Sequence, residues 1–124
     1  MEIGPATMSK IRRGDVVVAR VPQGQSFKVR PVVVVQSDRN NARLTNAIVA
    51  MITSNTRLAS KEATQVLIDT ATPEGQKSGL AHTSVVKCEN LYTLPIGSLR
   101  KIGVLSSALL ALVDESLKAS LDLR

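Results

Sequence analysis

The sequence predicts an α+β fold that is mainly β: a small, partly open barrel of five to six mostly antiparallel strands with one C-terminal amphipathic helix. Three observations carry that expectation. Short runs rich in Val, Ile and Thr recur along the 124 residues, punctuated by turn residues. The apolar fraction of 44% is almost wholly aliphatic, since Phe27 and Tyr92 are the only aromatic side chains. Leucines return at helical spacing only near the C-terminus. The length suits one domain with a core of its own, spanning residues 11–124. Residues 1–10 read as a disordered leader, with Met8 as a second candidate start.

Taken in order, Gly14 opens a first strand, Asp15 to Val21, which Pro22 and Gly24 end. Pro22 to Lys28 reads as a loop. The second strand, Val29 to Gln36, is a continuous valine run, which implies burial on both faces, or one face in the core and the other in a subunit contact. Ser37 to Thr45 is polar, with Asn40-Asn41 as a turn signal. A third strand runs from Ala47 to Thr53, and Thr56 to Ala63 has room for a short helical turn. Gln65 to Asp69 alternates, with Val66 and Ile68 on one side and Gln65 and Leu67 on the other. Ala71 to Thr83 contains Pro73, Gly75 and Gly79 and reads as a long loop. Ser84 to Asn90 is the fifth strand, Pro95 to Lys101 holds one helical turn, and Ile102 to Leu105 is a short strand. Ser106 or Ser107 then caps a helix whose stripe is Leu109, Leu112, Val113, Leu117 and Leu121.

The formal charge of +6 is one-sided. Through Arg57, nine Lys and Arg face only Glu2, Asp15 and Asp38; from Leu58 onward seven basic residues meet seven acidic ones. A basic half predicts a polyanionic partner, nucleic acid first and an acidic protein second. Cys88 is the only cysteine and His82 the only histidine, so no disulfide forms within the chain and no Cys/His metal cluster exists. The N-terminal segment lacks the apolar core of a signal peptide, and the apolar runs Val32 to Val35 and Ala47 to Ile52 are too short to span a bilayer. The expectation is a cytoplasmic protein with no metal, no cofactor and no membrane partner. Nucleophile triads, phosphate-binding glycine loops and dinucleotide motifs are missing, and the carboxylates are too scattered for a two-metal nuclease. What remains are polar residues at the ends of apolar strands: Arg30, Thr53 with Ser54, and Lys87 with Glu89.

The segments that hold these residues resemble the MazF/PemK toxin family of type II toxin–antitoxin systems. They are RRGDVVVARV (Arg12 to Val21), VRPVVVVQSD (Val29 to Asp38), AIVAMITSN (Ala47 to Asn55), SVVKCENLYTL (Ser84 to Leu94) and the closing IGVLSSALLALVDESLKASLDL. They follow the family's order from about Arg12 to the chain's end. The resemblance implies an SH3-like barrel, a homodimer, and metal-independent cleavage of single-stranded RNA, messenger RNA first, silenced by a cognate antitoxin. It gives Arg30, of an Arg-Pro-Val-Val motif, the task of holding a phosphate, with Pro31 keeping its backbone extended. Thr53, of Ile-Thr-Ser, would bond a phosphate oxygen or the 2′-OH region. Lys87 and Glu89 stand where some relatives carry Arg-x-Asp, assigned as acid and base; two apart on a strand, they share a face, and Cys88 points away. The other reading of that pair is a surface ion pair.

Ser54, Asn55, Phe27, Lys28, Ser84 and His82 are expected RNA contacts. The same relatives place a His in the loop after the first strand, where this chain has none. A lone loop His such as His82 is otherwise a solvated bystander, Phe27 a staple for its loop, and Cys88 a core residue. Two other functions fit the fold class. One is a non-catalytic, gyrase-binding toxin of the CcdB type, and the other is an SH3-like module that only binds.

Overall fold

The computed structural model describes residues 10–59 and 61–124. Six strands make one antiparallel sheet: β1 (Asp15–Gln23), β2 (Ser26–Val34), β3 (Asn46–Thr53), β4 (Gln65–Ile68), β5 (Ser84–Pro95) and β6 (Arg100–Val104). Three helices, α1 (Asp38–Arg43), α2 (Pro73–Lys77) and α3 (Ser107–Leu121), and a 3-10 turn at Ile96–Ser98 complete it. The strand order is β4-β5-β3-β2-β1-β6, so β4 and β6 are edges and the expected barrel is an open one. The leader expected over residues 1–10 lies, Lys10 apart, outside the described residues.

The valine run does what a run without alternation must: it fills a core on each face of the sheet. Val33 and Val35 join Val16, Ala50, Ile52, Val86 and Cys88 beneath Leu109 and Val113 of α3. Val32 and Val34 join Val17, Val21, Val49, Leu94 and Ile96 on the opposite face. Ser106 caps α3, its hydroxyl accepting from the Leu109 N–H at 3.1 Å and donating to Glu74 Oε2 at 2.6 Å. Ser106→Ala removes both bonds and is expected to lower the unfolding free energy by about 1 kcal/mol, read as a lower midpoint in urea with an unchanged slope. The buried face of α3 differs from the predicted stripe. Leu109, Val113 and Ser116 are buried, with Leu110 and Leu117 packed beside them. Leu112 and Leu121 lie at the two borders of that arc and stay about half exposed.

Three loop expectations need correction. Pro22 to Lys28 is a hairpin end, since Pro22 pairs with Phe27 and Gln23 with Ser26. Pro22 sits beyond the last rung β1 shares with β6, Val18 to Arg100, so no neighbour on that side needs its missing N–H. Gly24, at φ +62°, takes the first central place of the two-residue turn, the position that a type II′ turn reserves for glycine. The polar stretch from Ser37 holds α1, because the Ser37 hydroxyl accepts from the Asn40 N–H at 3.2 Å. Likewise Thr72 caps α2 inside the expected long loop, with Pro73 in its first turn. Thr56 to Ala63 holds a short turn of the kind expected, the Lys61 and Glu62 N–H groups both donating to the Leu58 carbonyl at 2.9 and 3.1 Å.

β5 runs past Asn90 to Pro95 because the first half of β3 needs a partner, Leu91 to Ala50 through Pro95 to Asn46. The register breaks on the way. Ala50 faces Leu91 while the next residue, Met51, faces Lys87, so Cys88 to Asn90 bulge away from β3.

Candidate active site

The candidate residues gather where β2, β3, β4 and β5 end side by side. Val32 pairs with Met51, so two residues further out Arg30 and Thr53 stand at corresponding positions just past the last rung. On the other side of β3, Met51 pairs with Lys87 and Thr53 with Val85. Thr53 and Lys87 are therefore diagonal neighbours, and Gln65 of β4 pairs with Lys87 in turn. Strand alternation puts Arg30, Thr53, Lys87 and Gln65 on one face.

Two hollows meet at Thr53. The larger, about 250 Å³, is lined by Arg30, Pro31, Ile52, Thr53 and Ser54 from the strand ends, and by Leu80, Ala81, His82 and Ser84 from the segment entering β5. The smaller, about 80 Å³, is lined by Thr53, Asn55, Leu58, Gln65 and Lys87. Thr53 Oγ1 accepts from the Asn55 N–H at 3.2 Å, and Asn55 Oδ1 accepts from the Arg57 N–H at 3.2 Å. These bonds fold the chain after β3 and use only acceptor capacity. Among the described residues, neither the Thr53 O–H nor the Asn55 NH₂ donates a hydrogen bond, which leaves their hydrogens to a ligand. Ser84 differs: it is buried, and its hydroxyl donates to the His82 carbonyl at 2.7 Å. It shapes the wall rather than facing the hollow's contents.

Glu89 lines neither hollow. It sits in the bulge of β5, exposed, and accepts from Gln65 Nε2 at 2.9 Å. It forms no ion pair with Lys87. Burial pushes its carboxyl up, but bonds from the Gln65 amide, its own backbone and Thr64, together with the Lys87 charge, outweigh that and hold it below the ordinary carboxylate range. Cys88 between them belongs to the core beneath α3, its thiol pushed up to about 12 by burial and then by the Glu89 charge. An inert neutral thiol is the consequence.

Phe27 and Lys28 lie toward the tip of the β1–β2 hairpin and line neither hollow. Three residues of strand, ~10 Å, separate Phe27 from Arg30. The Arg20 guanidinium stacks over the Phe27 ring, 4.9 Å from its centroid.

A strand-end cluster of Arg, Thr, Lys and a carboxylate on an open six-stranded sheet is the setting in which comparison with known proteins decides the family. The family described as PemK-like, MazF-like toxin of type II toxin-antitoxin system matches residues 12–121. The chain belongs to that family. It is 40% identical over 105 residues to the endoribonuclease MazF6 of Mycobacterium tuberculosis, covering 82% of this chain and 87% of the relative. It is 38% identical over 117 residues to the endoribonuclease MazF of Staphylococcus epidermidis, covering 91% and 92%. Among solved structures, the Mycobacterium tuberculosis toxin MazF-mt6 superposes with a TM-score of 0.72 at 31% identity, covering 89% of this chain and 98% of that one.

Gln65 is the site residue that sequence reasoning passed over. Its signal was present: it is a polar side chain on the side of β4 opposite Val66 and Ile68. Its meaning appears only with the register that sets it beside Lys87 and Glu89. Leu80 and Ala81 had no such signal, because their place beside Arg30 depends on how α2 docks.

Proposed function

We propose that this toxin is a sequence-selective endoribonuclease that cleaves single-stranded RNA, messenger RNA foremost, through attack by the ribose 2′-OH and without a metal ion. The observation that carries the reading is the meeting of the Arg30 hollow and the Lys87 hollow at Thr53. In the reaction the 2′-oxygen attacks the adjacent phosphorus and the bond to the 5′-oxygen breaks. Glu89 takes the 2′-OH proton, and the Lys87 ammonium gives one to the departing 5′-oxygen. The products are a 2′,3′-cyclic phosphate and a 5′-hydroxyl. Arg30 clamps the non-bridging oxygens as their charge grows, and the free Thr53 O–H bonds one of them. Ser54, Asn55 and His82 contact the strand around that phosphate.

The supporting physics is economical. RNA carries its own nucleophile, so positioning, charge stabilisation and two proton transfers suffice. Arg30, Thr53 and Lys87 stand at these strand ends, and Glu89 lies beside them in the β5 bulge, bonded to Gln65. Among the described residues no three His, Cys, Asp or Glu side chains cluster as metal ligands would.

The family's description supplies the partner: a cognate antitoxin, whose acidic, flexible segment would lie across the same basic face and block it. The toxin acts in the cytoplasm as a homodimer, and the exposed Leu112, Leu121 and Leu123 along and beyond α3 give a second copy apolar surface to bury. Among the described residues no helix is long and apolar enough to cross a membrane.

Incubation of the purified protein with a long single-stranded RNA in excess chelator tests the reading. Continued cleavage with cyclic-phosphate ends is expected, and a DNA strand of the same sequence should survive. Intact RNA with inhibited gyrase supercoiling would instead establish the CcdB-like alternative. The pH profile tests Glu89 separately. The ionised carboxylate is the active form and its folded pKa is lowered. The single-turnover rate should therefore hold as pH falls to the ordinary carboxylate value and drop only below it. An acid limb above the carboxylate range would take the role of base away from Glu89.

A further inference from the structure

A third hollow, about 190 Å³, lies on the other side of the Arg30 strand, between β2, β1 and the start of β6. Val18, Ala19, Arg20, Val29, Ser98 and Arg100 line it. Its position follows from the registers. Val18 pairs with Pro31 on one side and with Arg100 on the other, and Arg20 pairs with Val29. The rung Val18–Pro31 is therefore common ground: Val18 lines this hollow, and Pro31 lines the one that holds Arg30 and Thr53. Two strand spacings, ~10 Å, separate β2 from β6, within reach of a few nucleotides of an extended strand.

The lining is unusual in its charge. Two arginines share it and no carboxylate does. Among the described residues neither Arg20 nor Arg100 forms an ion pair. Two like charges brought together without a counter-ion repel, an arrangement that an anion would relieve. Ser98 spends its O–H on the Pro95 carbonyl at 2.8 Å, so the donors left in the hollow are the two guanidinium forks, a donor set made for phosphate oxygens. Arg20 is held by its stack on Phe27, which fixes where its fork points. Phe27 and Val29 are 56% and 66% exposed beside it, an apolar shelf of the kind on which an unpaired base rests.

We propose that the Arg20–Arg100 hollow is a second phosphate subsite, which holds the RNA strand at a backbone phosphate away from the one that is cut. The inference rests on the nuclease reading above and adds to it a binding track along the β6 side of the cleavage hollow. Continuity through the Val18–Pro31 rung favours RNA over an acidic peptide as the occupant: strand alternation puts Arg20, Val29 and Arg100 on the face of Pro31, opposite the Arg30 side chain, so the RNA strand reaches this hollow from the Pro31 side of the cleavage hollow. Substrate length then matters: a short oligonucleotide fills the cleavage hollow alone, and a longer one gains the second anchor.

Salt titration of binding separates the two sites. A short and a long 2′-O-methyl oligoribonucleotide, both uncleavable, are bound to the parent protein and to the Arg20→Gln/Arg100→Gln variant. Each phosphate contact on a single strand contributes ~0.7 to the slope of log K against log salt. The variant should lose ~0.7 from the slope for the long oligomer, the share of one phosphate, and nothing for the short one. Arg20→Lys/Arg100→Lys, which keeps both charges, should retain the slope. Each single Gln variant should lose about half as much, which keeps the result readable if the double variant folds poorly. An unchanged slope for the long oligomer, with the parent still cutting RNA, overturns the subsite and leaves the nuclease standing. Loss of acidic-peptide binding with unchanged RNA slopes overturns it in favour of a protein ligand. Failure of the parent to bind either oligomer or to cut RNA overturns both.

Discussion

Arg30→Ala is expected to slow RNA cleavage by about 10²–10³ at saturating substrate, the cost of removing one preorganised donor from a developing oxyanion. The chain around this side chain leaves little slack. Arg30 pairs with Ala19 across β1, and its neighbour Pro31 is locked to the Val18 rung. The guanidinium is thus delivered from strand backbone on one side, with Thr53 at the matching place on the other. Truncation should not disturb the fold, because Arg30 is only partly buried and, among the described residues, makes no ion pair. A change within about 0.5 kcal/mol is the ordinary result for such a position. Arg30→Lys keeps the charge and loses the two-pronged fork, so it should fall between parent and Ala. Single-turnover rates beside thermal melts give the answer. A melt that matches the parent with cleavage intact would remove Arg30 from the reaction and take the proposed mechanism with it.

What could be read without coordinates divides along a physical line. The valine run at Val32 to Val35 announced a strand buried on both faces, and the two cores on either side of β2 are that burial. Here side-chain chemistry alone sets the outcome. The Pro22–Lys28 segment was misread because proline and glycine mark both the end of a strand and the tip of a hairpin, and the choice depends on which neighbour β1 lacks beyond Val18. α1 and α2 escape sequence reasoning for a related reason: at six and five residues they are too short for periodicity, and they are held by the capping bonds of Ser37 and Thr72 and by bonds such as that from the buried Asn41 amide to the Gln36 carbonyl. In the candidate site, Arg30, Thr53 and Lys87 were legible as polar residues ending apolar strands. Their adjacency was not, since it rests on three registers and on a bulge at Cys88 to Asn90 that no local pattern encodes. Of the two readings of Lys87 and Glu89, the surface ion pair does not form, and Glu89 instead accepts from Gln65.

The other large expected effect lies away from the chemistry. Gly79→Ala should lower stability by about 2–4 kcal/mol, from a strained backbone and from overpacking together. Gly79 adopts φ +75°, and a Cβ there would sit 2.0 Å from the Ile102 carbonyl oxygen. The opposing Gly103 is equally confined, its Cβ position lying 2.2 Å from the Ser78 carbonyl carbon and oxygen. The backbone leaving α2 therefore lies directly on the backbone of β6, and no side chain fits between them. On a chain of this length the melting temperature should fall by roughly 10 °C. Gly97→Ala, where an added Cβ would meet nothing within 4 Å, is the matched control and should stay within about 0.5 kcal/mol of the parent. The consequence for activity follows from chain order. Leu80, Ala81 and His82 come directly after Gly79 and form one wall of the hollow that holds Arg30 and Thr53. Lifting the α2 exit off β6 moves that wall, so the variant should cut RNA more slowly even well below its melting point, with every proposed catalytic side chain still present. A folded Gly79→Ala protein with full cleavage at low temperature would show that the 80–82 wall has no part in seating the substrate.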